Sequence, residues 1–373
     1  MSYWKVLQLI IARKVKKSPN IMCRFMIYKG KESMLLSNLL TKPDHSIINQ
    51  SFDSRLRMDM RNPINGDGFG VGYYSSSREP CIFKAITPAW NNCNLANISK
   101  CTESHLVFAH VRASTQGALS ETNCHPFYWG KLMFMHNGGI LVFEKIKKRI
   151  VTLVDDDFFV NILGSTDSEC CFALFLHILR AKGYDASKEE TKFTHFILRE
   201  SLLETIDLIK RWQKEFTDEP SLLNFAVTDG ELVVVSRYIT SQKDEAASLY
   251  FSTGSRFFEY EKGQFKMERL NRSQDVIFVA SEPLTFERGD WICVPTNTLV
   301  TITKHSTVLL HPILDEFYND GSVGRSYSLA MDKGLIGGIP RNGGNNNIGK
   351  DNTLTNLPPL EREGRLVPQV NTT

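Results

Sequence analysis

From position 24 onward, short apolar runs alternate with clusters of glycine, asparagine, aspartate and serine, a rhythm that predicts a strand-rich protein with a few helices. The segments 24–28, 68–74, 105–111, 131–136, 222–228, 231–238 and 275–281 read as strands. Asp229-Gly230, between two of them, predicts a two-residue hairpin. Helical spacing is clearest in 202–216 and in 168–181, the latter entered through an Asp/Ser-rich cap.

The two ends have a different character. Residues 1–21 hold Lys5, Arg13, Lys14, Lys16 and Lys17 with no acid, and Val6, Leu7, Leu9, Ile10 and Ile11 form one side of a weakly amphipathic helix before Pro19. This segment reads either as an organelle-targeting leader, with the mitochondrion as destination, or as an extension that the working protein never carries, since Met22 is a second start. At the other end, 17 of the 37 residues in 337–373 are Gly, Asn or Pro and none is aromatic, so a disordered tail is expected. The predicted organisation is an extension over 1–22, one folded unit over 23–335 and a tail over 336–373.

Composition narrows the function classes. Of 373 residues, 42% are hydrophobic and 23% charged, which excludes a wholly disordered, collagen-like or coiled-coil chain. The net charge of +3 comes from the leader; without it 39 basic residues face 41 acidic ones, giving no reason to expect nucleic acid as a partner. The eight cysteines show no two-residue spacing, which argues against a metal site and for reduced thiols in the cytoplasm. No stretch reaches the roughly 18 apolar residues of a membrane span. Gly66, Gly68, Gly70 and Gly72 lack the Lys-Ser/Thr that follows a phosphate cradle, and close backbone packing explains them better.

Four short segments carry groups that acyl transfer needs. Cys23 becomes N-terminal if the chain starts at Met22 and the initiator is trimmed; its free α-amine, with a pKa of about 7.7–8.0, can then take the thiol proton. The plainer reading is a small buried cysteine at the start of a strand. Arg112, in His110-Val111-Arg112, offers a rigid fork to a carboxylate, or a surface salt bridge. Asn137-Gly138, following the strand, can present an amide and a backbone N–H to an oxyanion, or simply make a turn. Asp167, opening a helix, can meet an ammonium group or cap the helix.

In this order and spacing, the four segments resemble the class II glutamine amidotransferases. The resemblance implies that Cys23 is the nucleophile, that Arg112 and Asp167 hold the α-carboxylate and α-amino groups of the substrate, and that Asn137 with Gly138 forms the oxyanion hole. His125, in Asn123-Cys124-His125-Pro126-Phe127, matches a further position lining the pocket. Ala113 departs from the pattern, because many members carry tryptophan after the arginine. Stretches such as 46–57, 65–70, 83–92, 119–127, 221–238 and 279–291 resemble the amidotransferase subunits of fungal glutathione-degradation complexes. That likeness implies an α+β fold, the four-layer αββα sandwich of N-terminal-nucleophile hydrolases. It also implies glutathione as substrate, a peptidase-like partner subunit, and no cofactor or metal at this site. Two alternatives stand beside it: a free-standing glutaminase or ammonia-supplying amidotransferase, and a non-catalytic scaffold if residues 1–21 stay attached.

Overall fold

A computed structural model describes residues 23–53, 64–114, 118–270, 274–321 and 324–325. The leader helix expected within 1–21 and the tail expected over 336–373 lie outside the described residues. The described chain opens with β1 (Arg24–Leu35), α1 (Leu36–Leu40), α2 (Ile47–Gln50), β2 (Phe69–Tyr73), β3 (Cys81–Ala85), α3 (Cys93–Cys101) and β4 (Glu103–Val111). β5 (Phe127–Trp129) and β6 (Leu132–Gly139) precede α4 (Phe143–Leu153), α5 (Asp156–Val160), α6 (Asp167–Ala181) and α7 (His195–Lys214). The rest is strand: β7 (Leu222–Thr228), β8 (Val233–Arg237), β9 (Tyr250–Gly254), β10 (Arg256–Glu261), β11 (Gln264–Glu268), β12 (Val276–Ala280), β13 (Ile292–Cys293), β14 (Thr298–Ile302) and β15 (Val308–Pro312).

Among the described residues, one sheet runs β13-β9-β12-β1-β4-β2-β3 and a second runs β15-β14-β8-β7-β6-β5, with β10 and β11 as a separate ribbon. Each sheet is buried on both faces, which is why its central strands are apolar at almost every position. Side-chain alternation sorts β1 between two cores. Phe25 and Ile27 meet Met133, Met135, Val233 and Val279 between the sheets, while Met26 and Tyr28 meet Leu36, Leu39 and Leu40 outside the first sheet. The second sheet turns Phe134, Phe225 and Val227 outward against Ile146, Leu174, Phe175 and Leu202 of the helices. Helix, sheet, sheet, helix is the four-layer αββα arrangement, so the expected α+β fold is found.

Three local expectations need correction. The connection between β7 and β8 has four residues rather than two, because Thr228 pairs with Val233. Asp229 Oδ1 accepts from the N–H groups of Glu231 and Leu232, and Gly230 takes φ 96°, so the aspartate builds a wider turn than a two-residue hairpin allows. The helix expected over 202–216 starts at His195, where Thr194 Oγ1 accepts from Ile197 N–H, and ends at Lys214. Exposed Phe196 interrupts the apolar stripe of its first turn, which hid that start from the periodicity. Finally, Asn137 and Gly138 do not follow a strand: they continue β6, opposite Asn224 and Leu223 of β7.

Candidate active site

Alternation also decides which side chains converge. On β4, Leu106 and Phe108 point between the sheets, and His110 follows them by the same parity; on β6, Met133 and Met135 lead to Asn137. Cys23, the residue before β1, shares the parity of Phe25. Because the sheets are antiparallel, the start of β1, the ends of β4, β6 and β12, and the start of β2 lie at one end of the sandwich. Gly70 permits this closeness at His125: a Cβ there would lie 2.1 Å from His125 O.

Cys23 Sγ lies 3.5 Å from Ala113 O and 3.4 Å from Ala113 N, and these backbone atoms are its hydrogen-bond partners among the described residues. The residue as a whole is partly exposed, but its sulfur is surrounded by protein, and burial pushes the thiol up to about 11. The Ala113 backbone, Arg112 and Arg24 draw it back down, and Asp167 raises it further. Opposite charges from Arg112 and Asp167 are therefore both felt at the sulfur.

Arg112 is buried at the end of β4, where Nη2 donates to Ser114 Oγ at 3.1 Å and Nη1 donates to Asp67 O at 3.5 Å. Asp67 fixes the same loop by accepting from Ser114 N–H at 2.7 Å. Asp167 does not cap its helix, a role taken by Thr166. Freed from it, Asp167 Oδ2 accepts from Ile140 N–H at 2.9 Å, just beyond β6, so the carboxylate is tied to the segment that carries Asn137 and Gly138. Glu169 holds the preceding loop by accepting from Leu163 and Gly164 N–H.

Asn137 is buried, with Nδ2 placed 3.0 Å from Ser281 Oγ. Gly138 sits where any side chain would collide, since a Cβ would lie 2.0 Å from Leu222 O and 2.7 Å from His136 Nε2. His136 Nε2 donates to Leu222 O at 3.0 Å, and its Nδ1 meets Ser168 Oγ at 3.0 Å. His125 lies against His110 with ring centroids 4.1 Å apart, and makes an edge contact with Phe127 at 4.7 Å. Burial, then the neighbouring His110 and His136, hold His125 well below the usual imidazole range, so it is a neutral ring in the pocket wall.

Sequence reasoning missed a supporting layer. Arg24 Nε donates to Glu282 Oε1 at 2.5 Å and its Nη1 donates to Asn65 Oδ1, all three side chains being buried. His45 joins from α2's approach, donating through Nδ1 to Pro283 O. A Ser-Glu pair ending an apolar strand was the available signal, but only tertiary contact gives it meaning.

Comparisons with known proteins bear on this arrangement. A family profile described as class-II glutamine amidotransferases matches residues 36–313. The chain is 58% identical over 358 residues to a Saccharomyces cerevisiae protein described as probable glutamine amidotransferase DUG3, covering 93% of this chain and 98% of that one. It is 27% identical over 166 residues to the gamma-glutamyl-hercynylcysteine sulfoxide hydrolase of Mycolicibacterium smegmatis, covering 44% of this chain and 65% of the other. A solved glutamine aminotransferase class-II domain protein from Silicibacter pomeroyi superposes with a TM-score of 0.52 at 22% identity, over 79% of this chain and all of that one, a likeness of fold. Among the described residues, no helix is long and apolar enough to cross a membrane.

Proposed function

Since this chain belongs to the class II glutamine amidotransferases, we propose that Cys23, once residues 1–22 are removed, is the nucleophile of a γ-glutamyl amide hydrolase acting on glutathione. The observation that carries this reading is the state of the thiol. Held near 11 by burial, with only the Ala113 backbone as partner among the described residues, it needs a base, and no side chain there supplies one. A free α-amine on the same residue is within reach by covalent geometry alone, and its ordinary pKa of about 7.7–8.0 suits neutral pH.

The steps follow from the groups. The α-amine takes the thiol proton as Sγ forms a bond to the γ-carbonyl carbon. Asn137 and Gly138 receive the oxyanion charge. The amine then passes the proton to the leaving nitrogen as the C–N bond breaks, giving a γ-glutamyl thioester, and water releases glutamate and restores the thiol. Arg112 and Asp167 hold the α-carboxylate and α-ammonium, and His125 closes the wall beside them.

Those two anchors read only the end that glutamine and glutathione share, so the leaving group decides between them. A cysteine-derived leaving group is favoured by the mycobacterial relative, whose name describes hydrolysis of γ-glutamyl-hercynylcysteine sulfoxide. In this reading 23–335 is the catalytic unit, working in the cytoplasm beside a peptidase-like subunit that takes the cysteinylglycine. Glutamine, the donor named by the family, is the second reading.

The test compares protein beginning at Cys23 with protein retaining 1–22, each offered glutathione and glutamine, with and without the peptidase subunit. Glutamate release from glutathione only by the form beginning at Cys23 is expected. Equal turnover by the form in which Ile21, Met22 and Cys23 remain joined removes the mechanism, and turnover of glutamine alone moves the substrate to the second reading.

A further inference from the structure

Ser281, the residue following β12, touches both halves of the site. Its Oγ accepts from Phe25 N–H at 3.1 Å, its own N–H donates to Phe25 O at 3.0 Å, and its Oγ lies 3.0 Å from the amide of Asn137. One buried hydroxyl thus bridges the strand that begins beside Cys23 and the strand that carries Asn137 across the gap between the sheets.

The proton inventory of this bridge is lopsided. With Asn137 Nδ2 toward Ser281, the hydroxyl oxygen receives two N–H groups, its own hydrogen finds no acceptor, and the buried Oδ1 of Asn137 has no partner among the described residues. Turning the amide over about Cβ–Cγ keeps its outline and exchanges its ends. Ser281 O–H then donates to Oδ1 while Oγ still accepts from Phe25, so the hydroxyl hydrogen and the Asn137 oxygen each gain the partner they lacked. The groups left over are the two N–H donors of Nδ2. Unpaired buried donors are costly unless an acceptor arrives, and a tetrahedral oxyanion is such an acceptor.

We infer that Ser281 is a positioning residue for the oxyanion hole: its hydroxyl holds the Asn137 amide with the oxygen turned away and the nitrogen facing the reacting carbonyl. The inference rests on the function proposed above, and assigns to that site a residue lying 144 positions from Asn137 in the chain. Ser281 does not touch substrate. It works by excluding the amide orientation in which an oxygen would face a developing negative charge.

The experiment uses protein beginning at Cys23, with γ-glutamyl-p-nitroanilide as probe, and compares Ser281→Ala and Asn137→Ala with the parent. Asn137→Ala should lower kcat about 100-fold or more. Ser281→Ala should lower kcat about 10-fold or more with KM within about 2-fold, because the substrate anchors are intact. Iodoacetamide supplies the control: alkylation of Cys23 displaces iodide and develops no oxyanion, so its rate should match the parent in both variants. If Ser281→Ala does not fold, Ser281→Cys, similar in volume with a weak S–H donor, carries the same test. A kcat within 2-fold of the parent for Ser281→Ala, alongside a large loss in Asn137→Ala, overturns the role of Ser281 alone, as does an equal loss in iodoacetamide rate. Failure of the parent to release nitroaniline, or full activity in Asn137→Ala, removes the underlying reading of the site instead.

Discussion

Arg24 and Glu282 form an ion pair of 2.5 Å with side-chain exposures of 2% and 4%, one residue after the candidate nucleophile and one residue after Ser281. Neither charge reaches water, so each depends on the other, and Arg24 depends also on Asn65. Breaking such a pair from one side strands a charge, which costs about 3–5 kcal/mol. Glu282→Ala is expected to lose that much stability in denaturant titration and to lower turnover with it, because the start of β1 moves. A loss below 1 kcal/mol would mean that solvent reaches Arg24.

Cys23 and Cys171 separate by what they support. Cys23→Ala should abolish turnover with little change in unfolding midpoint, whereas Cys171→Ala, in the fully buried face of α6, should keep turnover and lose about 1–2 kcal/mol. Parallel assays of glutamate release and thermal unfolding check both, and near-normal turnover in Cys23→Ala would remove the nucleophile assignment.

Gly138 and Gly139 differ only in what surrounds them. A methyl group at Gly138 would meet Leu222 O at 2.0 Å, whereas at Gly139 nothing lies within 4 Å. Gly138→Ala is therefore expected to cost about 2 kcal/mol or more and most of the activity, and Gly139→Ala to stay within about 0.5 kcal/mol. Equal behaviour of the two variants in urea would show that β6 is not held against β7 at this point.

Acid should unfold the protein through its buried histidines. Burial, with Arg112 nearby, lowers His110 from 6.5 to about 3, and His125 is likewise depressed. A depressed folded value means that only the unfolded chain takes the proton, so stability is complete above about pH 6.5 and is lost as pH falls toward 3. His110 contributes about 1.4 kcal/mol per pH unit in that window, and His125 acts in the same direction. His110→Asn should flatten the fall in denaturation midpoint between pH 6.5 and pH 4, and an unchanged slope would mean that the ring is charged in the folded state.

Arg112 should be irreplaceable by lysine. The guanidinium is held in orientation by Ser114 Oγ and Asp67 O, contacts that a single ammonium cannot reproduce while also gripping a carboxylate. Arg112→Lys is expected to raise KM for glutathione and glutamine alike by about 10-fold or more, equivalent to a charged hydrogen bond of about 1.5–3 kcal/mol. A selective rise for one substrate would instead place Arg112 near the leaving group.

Local chemistry along the chain determined a good deal by itself. The apolar runs marked most central strands, 222–228 to the residue, because a strand buried on both faces needs no partner in sequence to announce itself. The residue types at 23, 112, 137, 138 and 167 suggested acyl transfer because nucleophile, carboxylate fork, oxyanion donors and acid are chemically distinctive. Tertiary structure decided the rest. That Asn137-Gly138 is strand and not turn depends on Asn224 and Leu223 lying opposite, and that Asp167 serves β6 rather than its own helix depends on Thr166 taking the cap. The Arg24, Glu282, Asn65 and Ser281 layer draws on segments up to 258 residues apart, and burial gives those ordinary polar residues their weight. Periodicity registers what one strand or helix wants from its surroundings; which distant group answers that want is settled only when the sheets close on each other.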